Sequence, residues 1–281
     1  MLFGHGMMCW NGQMPLRALL WDEGMVSGSV KTLSGMEWDT WASSMQVDGG
    51  ISNVVRAQAW LFFLSAVTVL IPLRRSRFIA AALYLTIALD LLFLGWLKYY
   101  ESGEGIAHWL EHASQICFPI VLCLLVFGKD KWRIVATVSI SITFVTHGLL
   151  AIGQTSQIVL LNHPQPGKFV EMTMLCLGFE SESHASAFLL TAGILDFIAA
   201  AAIFFRGWVR LLGLGYMVVW GLVTALARPW AYFEPTAAME TLIRWLPELF
   251  YRSPHFLLPL IILLALRASR AEDSRPTSAQ S

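Results

Sequence analysis

Asp90 and Asp196 are lone carboxylates in otherwise apolar stretches, and His147 is a lone imidazole in another. An ionisable group inside a bilayer is costly and is kept with a partner or for a task. Aspartate and histidine side chains in such a setting can pass protons between them. The same groups can equally serve as polar ties between helices. A second grouping, His108-Trp-Leu-Glu111-His112, matches the H-x-x-E-H string of one class of zinc proteases. Its spacing of four puts His108 and His112 on one helical face, where a metal or a haem iron could reach them. The string is short, no third ligand is evident, and those proteases are large soluble enzymes. No metal site is therefore expected. His108 and His112 stand as weak cofactor candidates, with interfacial polar residues at a helix entrance as the favoured reading over zinc or haem.

These groups are carried by a chain that must live in lipid. Of its 281 residues, 56% are hydrophobic and 14% charged, against about a quarter charged in a typical soluble domain. Seven apolar stretches are read as spans: 54–73, 78–97, 107–127, 134–152, 185–205, 208–226 and 249–266. Each approaches the ~20 residues that cross ~30 Å of hydrocarbon. The third and seventh are weaker. His108, Glu111, His112 and Gln115 precede the apolar part of the third, and Arg252 and His255 that of the seventh. Both are expected to enter as amphipathic helices and dive at Pro119 and at Pro254 or Pro259. The fold class is all-α, a polytopic membrane helix bundle.

Charge orients it. Eleven basic residues, among them Arg74, Arg75, Arg77, Lys129, Lys131 and Arg133, fall on one side with three acidic ones. The positive-inside rule makes that side cytoplasmic. The N-terminus is then outside and the C-terminus inside, as in a bacterial inner-membrane protein. Residues 1–53 form an external segment with short interfacial helices near 15–23 and 36–45, and residues 268–281 a disordered cytoplasmic tail. Residues 1–15 lack the basic and apolar runs of a signal peptide. Zero net charge argues against nucleic acid as a partner. The four cysteines form no C-x-x-C pair, and no disulfide framework is expected. The last span contains no lysine for a retinal Schiff base.

A parallel 3+1+3 repeat is suggested. Residues 54–132 form a three-helix unit, and spans five to seven repeat its order of helix, basic turn, helix, Trp-bearing segment and Pro-led helix. Helix rise gives depths: about five residues from the outer end (roughly 8 Å) for His147, about seven (roughly 10 Å) for Asp90 and about eleven (roughly 16 Å) for Asp196. Asp90 and His147 are thus candidates to pair, and Asp196 to meet Thr143 or Ser139. In the external loop 154–182, a short re-entrant or interfacial helix is expected over 169–179. Glu180, Glu182 and His184 are expected to cap the fifth span, and Arg228-Pro-Trp is a candidate head-group contact.

Residues 133–267 resemble the DoxX-like family of four-helix membrane proteins. The resemblance rests on Arg133 opening a helix that ends Phe144-Val-Thr-His147-Gly148, on Ala192-Gly-Ile-Leu-Asp196-Phe-Ile, and on the turn Arg206-Gly-Trp-Val-Arg210. The family has His-Gly in its first helix and an acid, usually Glu, in its second. Asp196 keeps the charge and shortens the reach, and Leu149 stands where lysine usually follows. The family includes a subunit of thiosulfate:quinone oxidoreductase. The resemblance therefore implies a redox or quinone-linked membrane complex, with lipid and other membrane subunits as partners, a quinone as the candidate cofactor, and His147 and Asp196 as site candidates; Asp90, outside the resemblance, is a candidate as a buried acid alone. A purely structural accessory subunit and a small proton-coupled transporter are the alternatives.

Overall fold

The computed structural model describes residues 1–71, 76–102, 106–153 and 167–273. All regular structure there is helical: α1 Leu2–Trp10, α2 Pro15–Leu20, α3 Glu23–Ser34, α4 Trp38–Ser43, α5 Met45–Leu70, α6 Arg77–Ser102, α7 Ile106–Leu110, α8 Ala113–Val126, α9 Trp132–Ile152, α10 Gly167–Leu177, α11 Glu182–Ala202, α12 Trp208–Ala231, α13 Ala238–Tyr251 and α14 Pro254–Asp273. Six candidate spans are long and apolar enough to cross a membrane: α5, α6, α7 with α8, α9, α11 and α12. The seventh is a bent pair, α13 and α14, meeting at 40°. The chain is a multi-pass helical membrane protein.

The weak spans are the interrupted ones. The breaks fall at Glu111–His112 and at Arg252–Ser253, not at Pro119 or Pro259, which lie inside continuous helices. Pro254 explains the second break. It has no N–H and disfavours helical geometry in the residue before it, yet it suits the first turn of a new helix.

The outer end, so named from the charge pattern, is more built than the sequence suggests. Helix α1 was not anticipated. It lies between α5 and α13, burying Leu2, Met8 and Cys9 in one core with Phe62, Ile87, Leu94 and Tyr251. Helices α2 and α4 match the two expected short helices, and α3 is added between them. Helix α5 begins nine residues before the expected span, because Ser44 caps it by accepting the Val47 amide. A second core of aliphatic residues fills the inner half between α9, α11, α12 and α14, around Ile140, Ala200, Ile203, Leu214 and Ile262. Helix α14 runs to Asp273, so the first six residues of the expected disordered tail are helical. Residues 274–281 lie outside the described residues, as do Arg74, Arg75 and the part of the external loop from 154 to 166. Helix α10 occupies the expected interfacial position and packs on α11 and α12. Ser181, rather than its charged neighbours, caps α11 by accepting the Ser183 amide; Glu182 sits in the first turn.

Candidate functional site

The two breaks meet. A break in a membrane helix frees backbone groups that must find polar company, and here the polar side chains arrive with it. Glu111 is buried, with its Oε1 3.0 Å from His108 Nδ1 and 3.7 Å from His112 Nδ1. The nearer acceptor for His112 Nδ1 is the His108 carbonyl oxygen at 2.9 Å, which places the proton on Nδ1. From the seventh span, His255 Nε2 lies 3.4 Å from Gln115 Nε2, and its ring stands edge-on to His147 with centroids 5.0 Å apart. If Gln115 donates there, His255 carries its proton on Nδ1. That atom, the Gln115 Oε1 and the Ser114 Oγ are buried without a hydrogen-bond partner.

Arg252 continues the cluster towards the outer surface. Its Nε donates to the Tyr251 hydroxyl at 3.1 Å and lies 4.0 Å from Glu248 Oε2. Glu248 also pairs with Arg228. Charges thus alternate from Arg228 through Glu248 and Arg252 to Glu111.

Asp196 is 2% exposed. Its Oδ1 accepts the Tyr216 hydroxyl proton at 2.9 Å, and Trp220 lines the same cavity. Both residues come from α12. The expected contacts on α9 are not made: the Thr143 hydroxyl accepts the Ser114 amide proton, and Ser139 donates to the Ala136 carbonyl. What α9 supplies is His147, held close by a glycine crossing. A Cβ on Gly148 would stand 2.8 Å from the Gly193 carbonyl oxygen, and one on Gly193 2.9 Å from that of Gly148. Only residues without a side chain let two helices approach so closely. His147 precedes one of these glycines, and Asp196 follows the other by three positions.

Glu111, His147, Asp196 and Arg252 line one cavity of about 90 Å³. On one side it shares the wall residues Met172, Leu189, Trp220 and Thr224 with an apolar groove of about 280 Å³ between α10, α11 and α12. On another it shares Phe169 and Met172 with an open outer cleft of about 800 Å³, whose wall includes Arg228, Glu248 and the stacked pair Tyr232 and Trp245.

Asp90 stands apart from this site. Both its carboxylate oxygens accept from Gln58 Nε2, at 2.9 and 3.1 Å, and Gln58 Oε1 accepts from Cys9 Sγ at 3.5 Å. Burial, and then the Asp90 charge, push the Cys9 thiol up to about 12, so it remains a donor. The expected pairing of Asp90 with His147 does not occur; Asp90 ties α6 to α5 and α1. All four cysteines are free. Near this tie His5 stacks on Phe62 at 5.2 Å and meets Tyr251 edge-on at 5.4 Å. Burial first, and the Lys98 charge second, hold its imidazole well below the ordinary histidine range.

His147 and Asp196 were legible as site candidates, and the structure brings them to one cavity. His108 and His112 join it indirectly, as the partners of Glu111. Arg252, His255, Gln115, Glu248 and Tyr216 were not singled out as functional. Their signal was present: four of the five are polar groups in the weak entrances of spans three and seven. Among the described residues, no group of three or more His, Cys, Asp or Glu side chains is arranged to hold a metal ion. No family model matches the chain, and no curated protein or solved structure matches it.

Proposed function

We propose that this chain is an integral membrane subunit of a redox or quinone-linked complex, DoxX-like in its second half and seated in a bacterial inner membrane. The observation that carries the reading is the junction of a polar cavity lined by His147, Asp196, Glu111 and Arg252 with an apolar groove. A quinone is a flat ring with two carbonyl acceptors on a long apolar tail. It needs donors beside the ring and a dry channel for the tail. Taken together, the two spaces fall within the ~300–1,000 Å³ of small-molecule sites. In this reading the ring lies at the shared mouth against Trp220. Tyr216 keeps Asp196 oriented, and the groove takes the first units of the tail. Asp90 has no part in it.

The test is to purify the protein in lipid-preserving particles and measure bound quinone per chain by extraction and chromatography. Near-stoichiometric quinone is expected, with the affinity for quinone re-added to the depleted protein falling about tenfold in Asp196→Asn or His147→Ala, a loss near 1.4 kcal/mol of binding. A quinone-free protein whose variants support the partner complex as well as the wild type would remove the reading and leave an accessory subunit.

A further inference from the structure

The path from the cavity to water is one-sided. Above Asp196, towards the outer end, ionisable groups follow one another: Glu111, Arg252 and Glu248. Arg252 faces the cavity and Glu248 the cleft, and the two side chains are 4.0 Å apart. A cavity of about 90 Å³ has room for about three waters at ~30 Å³ each, and it offers each of them polar partners. The unpartnered Gln115 Oε1, Ser114 Oγ and His255 Nδ1 lie on the same two broken spans. Buried polar atoms of this kind are normally satisfied by water.

Below Asp196 the character changes. From Phe197 to Phe205 the chain carries no polar side chain, and the end of α11 packs through Ala199, Ala200 and the following Ile203 into the inner aliphatic core with Ile140, Leu214 and Met217. Two of the buried hydroxyls that α9 places here are spent on backbone, Ser139 on the Ala136 carbonyl and Ser141 on that of Ala200; Thr137 lies one turn further in. Among the described residues, α11 carries no ionisable group inward of Asp196, α9 none inward of His147 until Arg133, and α12 only Tyr216, already held on Asp196, before Arg210.

We infer that water and protons reach Asp196 from the outer aqueous phase alone, through the cavity and past the Arg252–Glu248 contact. A proton leaving the Asp196 carboxyl goes to cavity water as hydronium. It passes next to His147 or the Glu111 carboxylate, then to Glu248 and cleft water; no electrons move. Glu248, held between Arg228 and Arg252, is the gate. This deepens the reading of the same site as a redox-linked one, since it fixes the side on which a ligand's protons are exchanged.

The test uses thiol accessibility in the full chain, reconstituted with known orientation. Ala192→Cys lines the cavity and Ala200→Cys lies in the inner core. Each is exposed to Ag⁺, a bare cation suited to a water-sized path, on one face at a time. The blocked fraction is then read by alkylation after denaturation and mass spectrometry of the peptide, which distinguishes it from the native cysteines. Ala192→Cys should be blocked several-fold faster from the outer face, and Ala200→Cys from neither. Blocking from the inner face at an equal or greater rate would overturn the inference. So would an Ala192→Cys protein with wild-type thermal stability that reacts from neither face. Ala151→Cys, which lines the cavity from α9, repeats the measurement should Ala192→Cys fail to fold. Loss of the quinone reading would leave this labelling pattern intact, and loss of the pattern would leave quinone occupancy intact.

Discussion

The Gly148–Gly193 crossing sets how closely His147 and Asp196 approach the same cavity, and alanine at either position tests it. A Cβ on Gly193 would lie 2.7 Å from Ile152 Cγ2, 2.9 Å from the Gly148 carbonyl oxygen and 3.2 Å from the Ala151 Cβ. Two of these are fixed by the α9 backbone and cannot swing aside. Relief to an ordinary contact near 3.4 Å requires the helices to part by about half an ångström along a crossing that is packed throughout. Overpacking of this kind costs about 1–3 kcal/mol. Against it, alanine gains about 0.5–1 kcal/mol over glycine in a helix interior. The net expectation is a destabilisation of about 0.5–2 kcal/mol. Gly215 on α12 meets nothing within 4 Å, so Gly215→Ala keeps the propensity gain without the clash and should be neutral or stabilising. The assay is reversible unfolding of the three variants in one mild detergent system. Opposite signs for Gly193→Ala and Gly215→Ala are the prediction. Equal shifts in the same direction would show that the crossing is not close enough to exclude a methyl group.

Three further outcomes follow from the polar ties. Gln58→Leu should destabilise the protein by about 1–3 kcal/mol, because it leaves the Asp90 carboxylate without its donor. Asp90→Asn, which keeps an acceptor and removes the charge, should cost less, and quinone occupancy should be unchanged in both. His5 is held neutral by burial, so below its ordinary value near 6.5 the unfolded chain takes up a proton that the folded chain refuses. Stability attributable to it is therefore intact above pH 6.5 and falls as pH drops, by at most ~1.4 kcal/mol per unit. His5→Gln should flatten that part of the pH–stability curve, and identical slopes for variant and wild type would refute the assignment. Glu248→Gln removes the one carboxylate between Arg228 and Arg252. With side chains still 14–21% exposed at the Arg228–Glu248 pair, the cost should be about 1–3 kcal/mol, below the ~3–5 of a fully buried break. Adding Arg228→Gln should recover part of it, measured as a double-mutant cycle.

The membrane class and the positions of the helices were readable because hydrocarbon imposes one constraint on every span. The apolar runs that fill α6, α9, α11 and α12 had no soluble alternative. Helix α1 was missed because its nine residues are too few to span, and two of its glycines dilute the apolar pattern. Its burial is decided by the groove that α5 and α13 leave, which is tertiary information. Asp196 reads in the sequence as a buried acid in need of a partner; the expected partners lie on α9 and the observed one, Tyr216, on α12. Depth along a helix follows from residue counting. Azimuth does not, once close glycine contacts have set the rotation of one helix against the next.

The weak spans and the lone acids, separate features in the sequence, have one physical origin in the structure. Glu111 and Arg252 make spans three and seven poor candidates for crossing hydrocarbon, and both spans break where those residues stand. Each break on its own would leave freed backbone groups and a charge facing lipid. Side by side, the two breaks supply one another with opposite charge and hydrogen-bonding partners. The polar volume that results is one Asp196 can join across the cavity, with Tyr216 holding it there. Asp90 lies on α6 beyond the reach of this centre, so its burial had to be offset locally, and Gln58 does so with two hydrogen bonds. Of the two aspartates, the one that shares a cavity with other ionisable groups is the one placed to exchange a proton; the one whose oxygens are both taken by an amide is placed to hold helices together.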